Sequence, residues 1–154
     1  MDTSETPRVL VVADRTAATP ALLHAIHVRA ARGPARFHLL VPNPADHAEL
    51  SDAARKKDVN AGEQILALAL PLIDAASRSH AEGSVSIRHD PMDAIEDALR
   101  DGHFDEIILS TLPHSVSRWL HIDLPRRVAH LGLPLTTVTA EERTLKGVNE
   151  ATIN

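Results

Sequence analysis

The amino-acid sequence predicts a single α/β domain, an open and twisted sheet of five parallel strands with helices on both faces. Short apolar runs alternate along the chain with longer helical patterns, which is the order that crossover connections produce in a parallel sheet. A chain of 154 residues is also one domain by length, and it buries enough surface to need no stabilising metal or disulfide. We expect the domain at residues 8–139, between a disordered start (1–7) and a mobile tail (140–154).

Composition excludes several classes of function. The net charge is −5 and aromatic residues make up 2% of the chain, so a basic surface and stacking rings for general nucleic-acid binding are both missing. Cysteine is absent, which rules out thiolate nucleophiles and fits a reducing compartment. The sequence has no signal peptide and no apolar stretch approaching the roughly 20 residues of a membrane span. We therefore expect a cytoplasmic protein with no nucleic-acid or membrane partner.

The first half of the chain supplies two strands and two helices. Thr19 is expected to cap the first helix, with Pro20 at its first position and Gly33 as a left-handed stop. The apolar run from residue 65 could form a helix or a strand, and we predict a helix. Pro71 is expected either to kink this helix or to mark its start. The predicted elements are a strand over 9–13, a helix from 20 that stops at 33, a strand over 37–41, a loop over 45–57 and a helix from 65 to about 80.

The second half repeats the alternation. Asp90, Pro91 and Asp93 give the third helix a cap, a first-position proline and a first-turn acid, and Gly102 closes it. The remaining predicted elements are a strand over 85–87, this helix from 91, a strand over 104–109, a long polar loop, a helix over 124–131 and a strand over 135–139.

The end of the fourth strand is the candidate functional edge. The apolar run Ile107–Leu109 stops at Ser110 and Thr111, and ligands of open α/β sheets bind beyond the carboxyl ends of the strands. Asp14 follows the first strand in the same way. It either hydrogen-bonds a ligand at this edge or caps the turn into the first helix, and the sequence leaves both interpretations open.

Five fragments, taken in order, resemble the universal stress protein family over about residues 8–139. They are VLVVADRT for the first strand, HLLVPNP for the second, HDPMDAIEDA for the third helix, DEIILS for the fourth strand and GLPLTTV for the fifth. The resemblance implies the strand order 3-2-1-4-5, a role in stress response or regulation, and a homodimer formed through the edge of the fifth strand. That strand is β-branched and uncovered on one side, which suits such pairing.

The phosphate loop of this family is degenerate in the chain. ATP-binding members carry Gly, two residues, Gly, nine residues and Gly-Ser or Gly-Thr after the fourth strand; here Ser110, Pro113, Asp123 and Leu124 stand at those positions. Pro113 has no N–H to donate, and Asp123 is expected to cap the helix amides and to repel phosphate. ATP binding should be weak or absent, so no cofactor is expected other than a weakly bound adenine nucleotide. By resemblance, the degenerate nucleotide site comprises Asp14, Arg15, Val41, Ser110, Thr111, Pro113, His114, Arg118, Asp123 and Leu124.

Other polar residues have two interpretations each. His114 and Arg118 either contact an anion or belong to a solvated loop, and the second interpretation is favoured. Trp119 is expected to anchor the long loop to the core or to a partner subunit. His24 and His27 have helical i, i+3 spacing, but no HExxH motif accompanies them, so a surface pair is favoured over a metal site.

No catalytic or metal-binding residues are expected, since nucleophile-elbow, Walker and dinucleotide motifs are all absent. Two alternatives to the stress-protein interpretation remain. One is a homodimeric interaction module that binds no ligand. The other, more remote, is a phosphorylatable receiver domain with Asp90 as its acceptor, although Asp14 lacks the acidic neighbour and the fifth strand lacks the following lysine that such chemistry needs.

Overall fold

A computed structural model describes residues 6–43, 52–88, 90–113 and 117–140; for residues 52–59 and Arg118 it describes the backbone alone. The expectations for residues 1–5, His114 and the tail from 141 onward concern parts of the chain outside this description.

Five parallel strands form one sheet in the order β3-β2-β1-β4-β5, which confirms the predicted fold class and strand order. The strands are β1 (Arg8–Val12), β2 (Arg36–Val41), β3 (Glu82–Val85), β4 (Glu106–Thr111) and β5 (Leu135–Thr139). Because every strand runs in the same direction, all five carboxyl ends lie at one edge of the sheet and all five amino ends at the other.

Helices cover both faces of the sheet, as predicted. They are α1 (Pro20–Ala31), α2 (Asp52–Ser77), α3 (Pro91–Asp101), α4 (Arg118–His121) and α5 (Leu124–Ala129). Alternate residues of β1 point to opposite faces: Val9 and Val11 pack with α1 and α2, whereas Leu10 and Val12 pack with α3 and α5. The two apolar layers thus lie on opposite faces of the central strands. The β1 residues from Val9 to Val12 that belong to these layers are fully buried.

α2 is longer than predicted. It begins at Asp52 and continues through Pro71, so residues 52–57 are helical where a loop was expected and Pro71 does not mark the start. Proline removes one helical hydrogen bond, but Ala69 and Ile73, spaced by four residues around it, are both buried against the sheet. Packing therefore keeps the helix continuous. Within the described ranges no helix, α2 included, is both long and apolar enough to cross a membrane.

β3 begins earlier than predicted. It occupies Glu82–Val85 rather than residues 85–87, and Ile87 is 75% exposed. The reason lies at Gly83, where an added Cβ would stand 2.7 Å from Leu66 Cδ2 of α2 and 3.2 Å from the Leu39 carbonyl oxygen of β2. The close approach of α2 to Gly83 decides which residues pair with β2. The alternation of apolar residues in the sequence does not reveal this contact.

Helix ends also differ in detail from the sequence prediction. Asp90 caps α3 as predicted and accepts a hydrogen bond from the Met92 N–H at 2.8 Å. Thr19 stands at the N-cap of α1 without a side-chain cap, because its hydroxyl donates instead to the Thr16 carbonyl. Gly33 follows α1 with φ of 152°, a positive value outside the left-handed helical region.

A test of the α2–β3 packing compares two glycine substitutions. Gly83→Ala should lower the free energy of unfolding by about 1–3 kcal/mol, since the new methyl group overlaps Leu66 and backbone. Gly102→Ala is the matched control: its nearest neighbour is a side-chain atom, Arg8 Nη1, at 3.3 Å, and its nearest backbone neighbour is the Ala98 carbonyl oxygen at 3.8 Å, so we expect a change within about 0.5 kcal/mol. Urea unfolding of the three proteins gives both values. Equal effects at the two sites would contradict the packing argument.

His38 of β2 gives the fold a pH dependence. Burial of its ring lowers its pKa from the ordinary 6.5, and this outweighs the opposite effect of the Glu82 carboxylate. The unfolded chain therefore takes up this proton first as pH falls below 6.5, so the native state loses stability in that range.

Replacing His38 removes this contribution. Between about pH 7.5 and about pH 5.5 the free energy of unfolding of His38→Gln should fall less than that of the wild type, because glutamine does not titrate. Chemical unfolding at the two pH values measures the difference, and His24→Gln, an exposed helical histidine, is the control. An identical pH dependence for wild type and His38→Gln would overturn the prediction.

Candidate functional site

Five of the predicted site residues lie along the carboxyl edge of the three central strands. β1 is flanked by β2 on one side and β4 on the other, so the chain reverses its strand order beside β1, which is the switch point of the sheet. Asp14 and Arg15 follow β1, Val41 ends β2, and Ser110 and Thr111 end β4. The two hydroxyl residues belong to the strand itself, which extends two residues beyond the predicted end.

A buried hydroxyl pair joins the β1–α1 loop to the end of β4. Thr16 Oγ1 lies 2.6 Å from Ser110 Oγ, and both residues are at most 1% exposed. The Thr16 carbonyl in turn accepts the Thr19 hydroxyl at 2.9 Å. Thr16 is not among the predicted site residues. The one feature of the sequence that could have indicated it is its position in the loop after the first strand. The Ser110 side chain is therefore engaged in a structural contact within the protein.

Asp14 takes part in the turn that follows β1. Its carboxylate accepts a hydrogen bond from the Arg15 N–H, and its carbonyl accepts one from Ala17 at 3.2 Å. Asp14 is half-buried and Arg15 is exposed. Of the two open interpretations, the turn-capping contact is present in the structure, and a role toward a ligand stays a prediction.

The end of β2 is closed by main-chain contacts. Val41 is fully buried, and its carbonyl accepts the Ser86 N–H at 2.9 Å. Asn43, which is 3% exposed, donates from its backbone to Arg88 at 3.1 Å and from its side chain to the Ile87 carbonyl at 3.3 Å. In the sequence, the prolines on either side of Asn43 indicate only where the strand ends. The asparagine between the prolines ties β2 to the loop after β3.

The described residues after β4 offer few donors to a ligand. Thr111 is buried, with its hydroxyl 3.5 Å from that of Thr139 on β5, and Pro113 is buried and has no N–H. After the undescribed residues 114–116, the Ser117 hydroxyl accepts the Leu120 N–H at 3.1 Å. This contact begins α4, a short helix inside the stretch that was predicted to be a loop.

Asp123 occupies the N-cap position of α5 but does not cap it. The expectation that its carboxylate would satisfy the helix amides is wrong, because its side chain makes no capping hydrogen bond. Its backbone has φ of 60° and ψ of 36°, whereas side-chain capping requires extended backbone at this position. The left-handed conformation is the one that glycine favours. An aspartate thus stands in a backbone geometry suited to the glycine that the resemblance places there.

The carboxylate of Asp123 faces solvent. Its side chain is 62% exposed and lies 3.7 Å from Arg126 Nη1. Arg127 is paired similarly with Asp90, at 3.7 Å and with both side chains about 41% exposed. Exposed pairs of this kind contribute little to stability. Both arginines therefore lie beside carboxylates of the protein, and the Asp90 carboxylate is engaged by the α3 amide as well as by Arg127.

Leu124 and Trp119 belong to the core. Leu124 is fully buried and Trp119 is 4% exposed, and both pack in the apolar layer beneath α3 and α5. The prediction that Trp119 anchors the long loop to the core is confirmed. Leu124, which by resemblance stands where ATP-binding members carry a hydroxyl, is therefore a packing residue.

Metal ligands are not gathered at this edge. Within the part of the chain that the structure describes, no group of three or more His, Asp or Glu side chains could hold a metal ion. His24 and His27 are both exposed on α1. The backbone of Arg118 opens α4, and its side chain lies outside the description.

Comparison with solved structures places this architecture among known folds. A universal stress protein from Archaeoglobus fulgidus is 15% identical, with a TM-score of 0.60, and the match covers 86% of this chain and 93% of that one. The Archaeoglobus fulgidus universal stress protein in complex with dAMP is 16% identical, with a TM-score of 0.57 and coverage of 87% and 98%. A universal stress protein in complex with cAMP is 18% identical, with a TM-score of 0.58 and coverage of 90% and 100%.

Sequence comparison adds no closer relative, since no family model matches the chain and no curated protein matches it significantly. The similarity is carried by the three-dimensional arrangement, over nearly the whole length of the neighbouring chains. The resemblance inferred from five sequence fragments is confirmed at this level: the chain has the fold of the universal stress proteins.

Proposed function

We propose that the chain is a stress-response or regulatory protein of the universal stress type, not an enzyme, whose degenerate site binds adenine nucleotides weakly or not at all. The observation that carries the proposal is Asp123. It stands at the glycine position of the phosphate loop in a left-handed backbone conformation with an exposed carboxylate, so it adds negative charge where phosphate would approach.

Two further features support weak binding of phosphate. Pro113, at the second glycine position, is buried and has no N–H to offer. Ser110, at the first, engages its hydroxyl with Thr16 in a buried contact. A phosphate loop needs several backbone amides directed at one anion, and this loop lacks that chemistry at the positions where the resemblance requires it.

The adenine and ribose side of the site is less altered. Two of the structural neighbours were solved with dAMP and cAMP, which are adenine nucleotides with a single phosphate group. Asp14 and Val41 stand where the resemblance places contacts to adenine and ribose. If the contacts to adenine and ribose are retained, only the contacts to the additional phosphates are lost. ATP should then bind no more tightly than AMP.

Calorimetric titration with Mg-ATP and with AMP tests the proposal. We expect dissociation constants above about 100 µM for both, less than about 5.5 kcal/mol of binding free energy. A low-micromolar constant for Mg-ATP would contradict it. The double variant Pro113→Gly and Asp123→Gly restores an N–H and removes the carboxylate, so it should bind Mg-ATP at least about tenfold more tightly than the wild type.

Asp123→Asn in the Pro113→Gly background is the matched control, since asparagine also tolerates a left-handed backbone. If charge repulsion is the main obstacle, this control recovers most of the gain. No gain in either double variant would show that the loop does not correspond to a phosphate site.

We further propose that the protein is a homodimer formed through β5, which is also the surface that a ligand-free interaction module would use. β5 is an outer strand of the sheet. The Pro134 carbonyl accepts from Ile107 and the Ala140 N–H donates to Thr111, both at 2.9 Å. In a parallel strand, alternate residues direct both backbone groups to the same neighbour. The backbone groups of Leu135, Thr137 and Thr139 are therefore directed away from β4.

Thr137→Pro separates dimerisation from folding. The substitution removes an N–H that points away from β4, so it should leave the β4–β5 ladder intact while abolishing pairing with a second copy. Light scattering at micromolar concentration should report a dimer for the wild type and a monomer for Thr137→Pro. Thr137→Ala keeps the N–H and should remain dimeric. A monomeric wild type, or a Thr137→Pro variant that stays dimeric, would contradict pairing through β5.

A further inference from the structure

The amino edge of the sheet, opposite the candidate nucleotide site, holds an open cleft. It has a volume of about 570 Å³, and its lining includes Arg8, Arg36, His38, Glu82 and His103; we call it the amino-edge cleft. A smaller hollow of about 300 Å³ adjoins it and shares Arg36 and Glu82. The larger volume lies within the range of small-molecule sites. The strands separate this cleft from the carboxyl edge by roughly 16 Å, the length of five strand residues.

The cleft exists because one face of the sheet becomes polar at this end. Arg8 pairs in register with Arg36, and His38 pairs with Glu82. On the same face of the sheet, Leu10 follows Arg8 by two residues and Leu40 follows His38 by two residues. Both leucines are buried beneath α3 and α5. The faces of a parallel sheet are normally continuous apolar surfaces, so a row of charged and polar side chains here needs an explanation.

Two arginines in register bring like charges together, an arrangement that disfavours folding by itself. Arg8 is held in place: its Nη1 donates to the His103 carbonyl at 3.0 Å, and its guanidinium lies 4.5 Å from the centre of the Phe104 ring. The Arg36 side chain is exposed and has no hydrogen bond or ion pair with any residue that the structure describes. Among the described lining residues Glu82 carries the one carboxylate against two arginines, and beside the lining the Asp105 carboxylate accepts from the Arg8 N–H at 2.8 Å and lies 2.9 Å from His103 Nε2.

His38 adds an unsatisfied polar atom. Its Nε2 lies 2.9 Å from Ser84 Oγ, and the edge contact with Phe104, at 5.8 Å between ring centres, fixes the ring. Its Nδ1 is buried and has no hydrogen-bond partner among the described residues. His38 lines the cleft, so its ring signals report on that surface, while its unpaired Nδ1 lies beneath the surface and out of reach of a ligand.

We propose that the amino-edge cleft binds a small organic anion, with its phosphate or carboxylate group held by Arg8 and Arg36. Both anions fit the planar fork of arginine. Binding would place negative charge between two like charges. The inference is independent of the proposed nucleotide site, because the two sites share no residue.

Inorganic phosphate and succinate serve as separate probes in solution. Each is titrated at constant ionic strength while histidine ring signals are followed by NMR, with the His38 signal assigned from the spectrum of His38→Gln. Saturable movement of the His38 and His103 signals by either probe supports the proposal, and the tighter probe identifies the anion as phosphate or carboxylate. Signals that move linearly for both probes, without saturation, would overturn it.

Arg36→Gln should weaken binding of the preferred probe by about tenfold or more, the usual effect of losing a charged hydrogen bond. Arg36 is exposed and its charge lies beside that of Arg8, so this variant should melt at a temperature no lower than that of the wild type. Arg32→Gln, which changes the same charge on an exposed residue outside the cleft lining, is the matched control and should bind as the wild type does. Equal weakening in the two variants would mean that only net charge matters, and the assigned site would be wrong.

Discussion

β1 lies at the centre of a parallel sheet, so both of its faces must be covered by apolar side chains, and the rest of the domain is built around that requirement. Val9, Leu10, Val11 and Val12 are all completely buried. Their alternation sends consecutive residues into two separate cores, which α1 and α2 close on one side and α3 and α5 on the other. Because crossovers must cover both faces, the chain has to reverse its strand order beside β1, and that reversal locates the carboxyl-edge site.

The same requirement explains which parts of the fold were predictable. The runs that form β1, β4 and β5 are short and apolar or β-branched, and Asp90-Pro91 caps α3 as its sequence indicates, so these features follow from local patterns. β3 was misplaced because its position depends on the contact of Gly83 with Leu66 of α2. Such a contact joins distant parts of the chain, and no periodicity within either segment records it.

The candidate site was predictable in composition but not in conformation. The spacing of Ser110, Pro113 and Asp123 indicated a phosphate loop without its glycines, and that placement stays a prediction. The capping role expected of Asp123 failed because its backbone is left-handed, a property that residue type does not determine. The Thr16–Ser110 pair and the arginine pair at the amino edge depend on tertiary contacts and register, so they became visible only in three dimensions.

The two edges of the sheet differ in how their polar groups are satisfied. At the carboxyl edge, the protein supplies its own partners: Thr16 pairs with Ser110, Asn43 bonds to the loop after β3, and Asp14 accepts the Arg15 amide.

At the amino edge, the exposed Arg36 side chain and the buried Nδ1 atom of His38 have no partner among the described residues, while Arg8 is fixed by His103 and Phe104. A ligand there would contact Arg8, whose side chain is already ordered, and Arg36, whose exposed side chain would lose conformational entropy on binding. Open α/β folds usually bind ligands beyond the carboxyl ends of their strands. In this chain the described contacts engage Thr16, Ser110 and Asn43 at that edge with partners of the protein itself, whereas the exposed arginine side chain without a partner among the described residues lies at the opposite end of the strands.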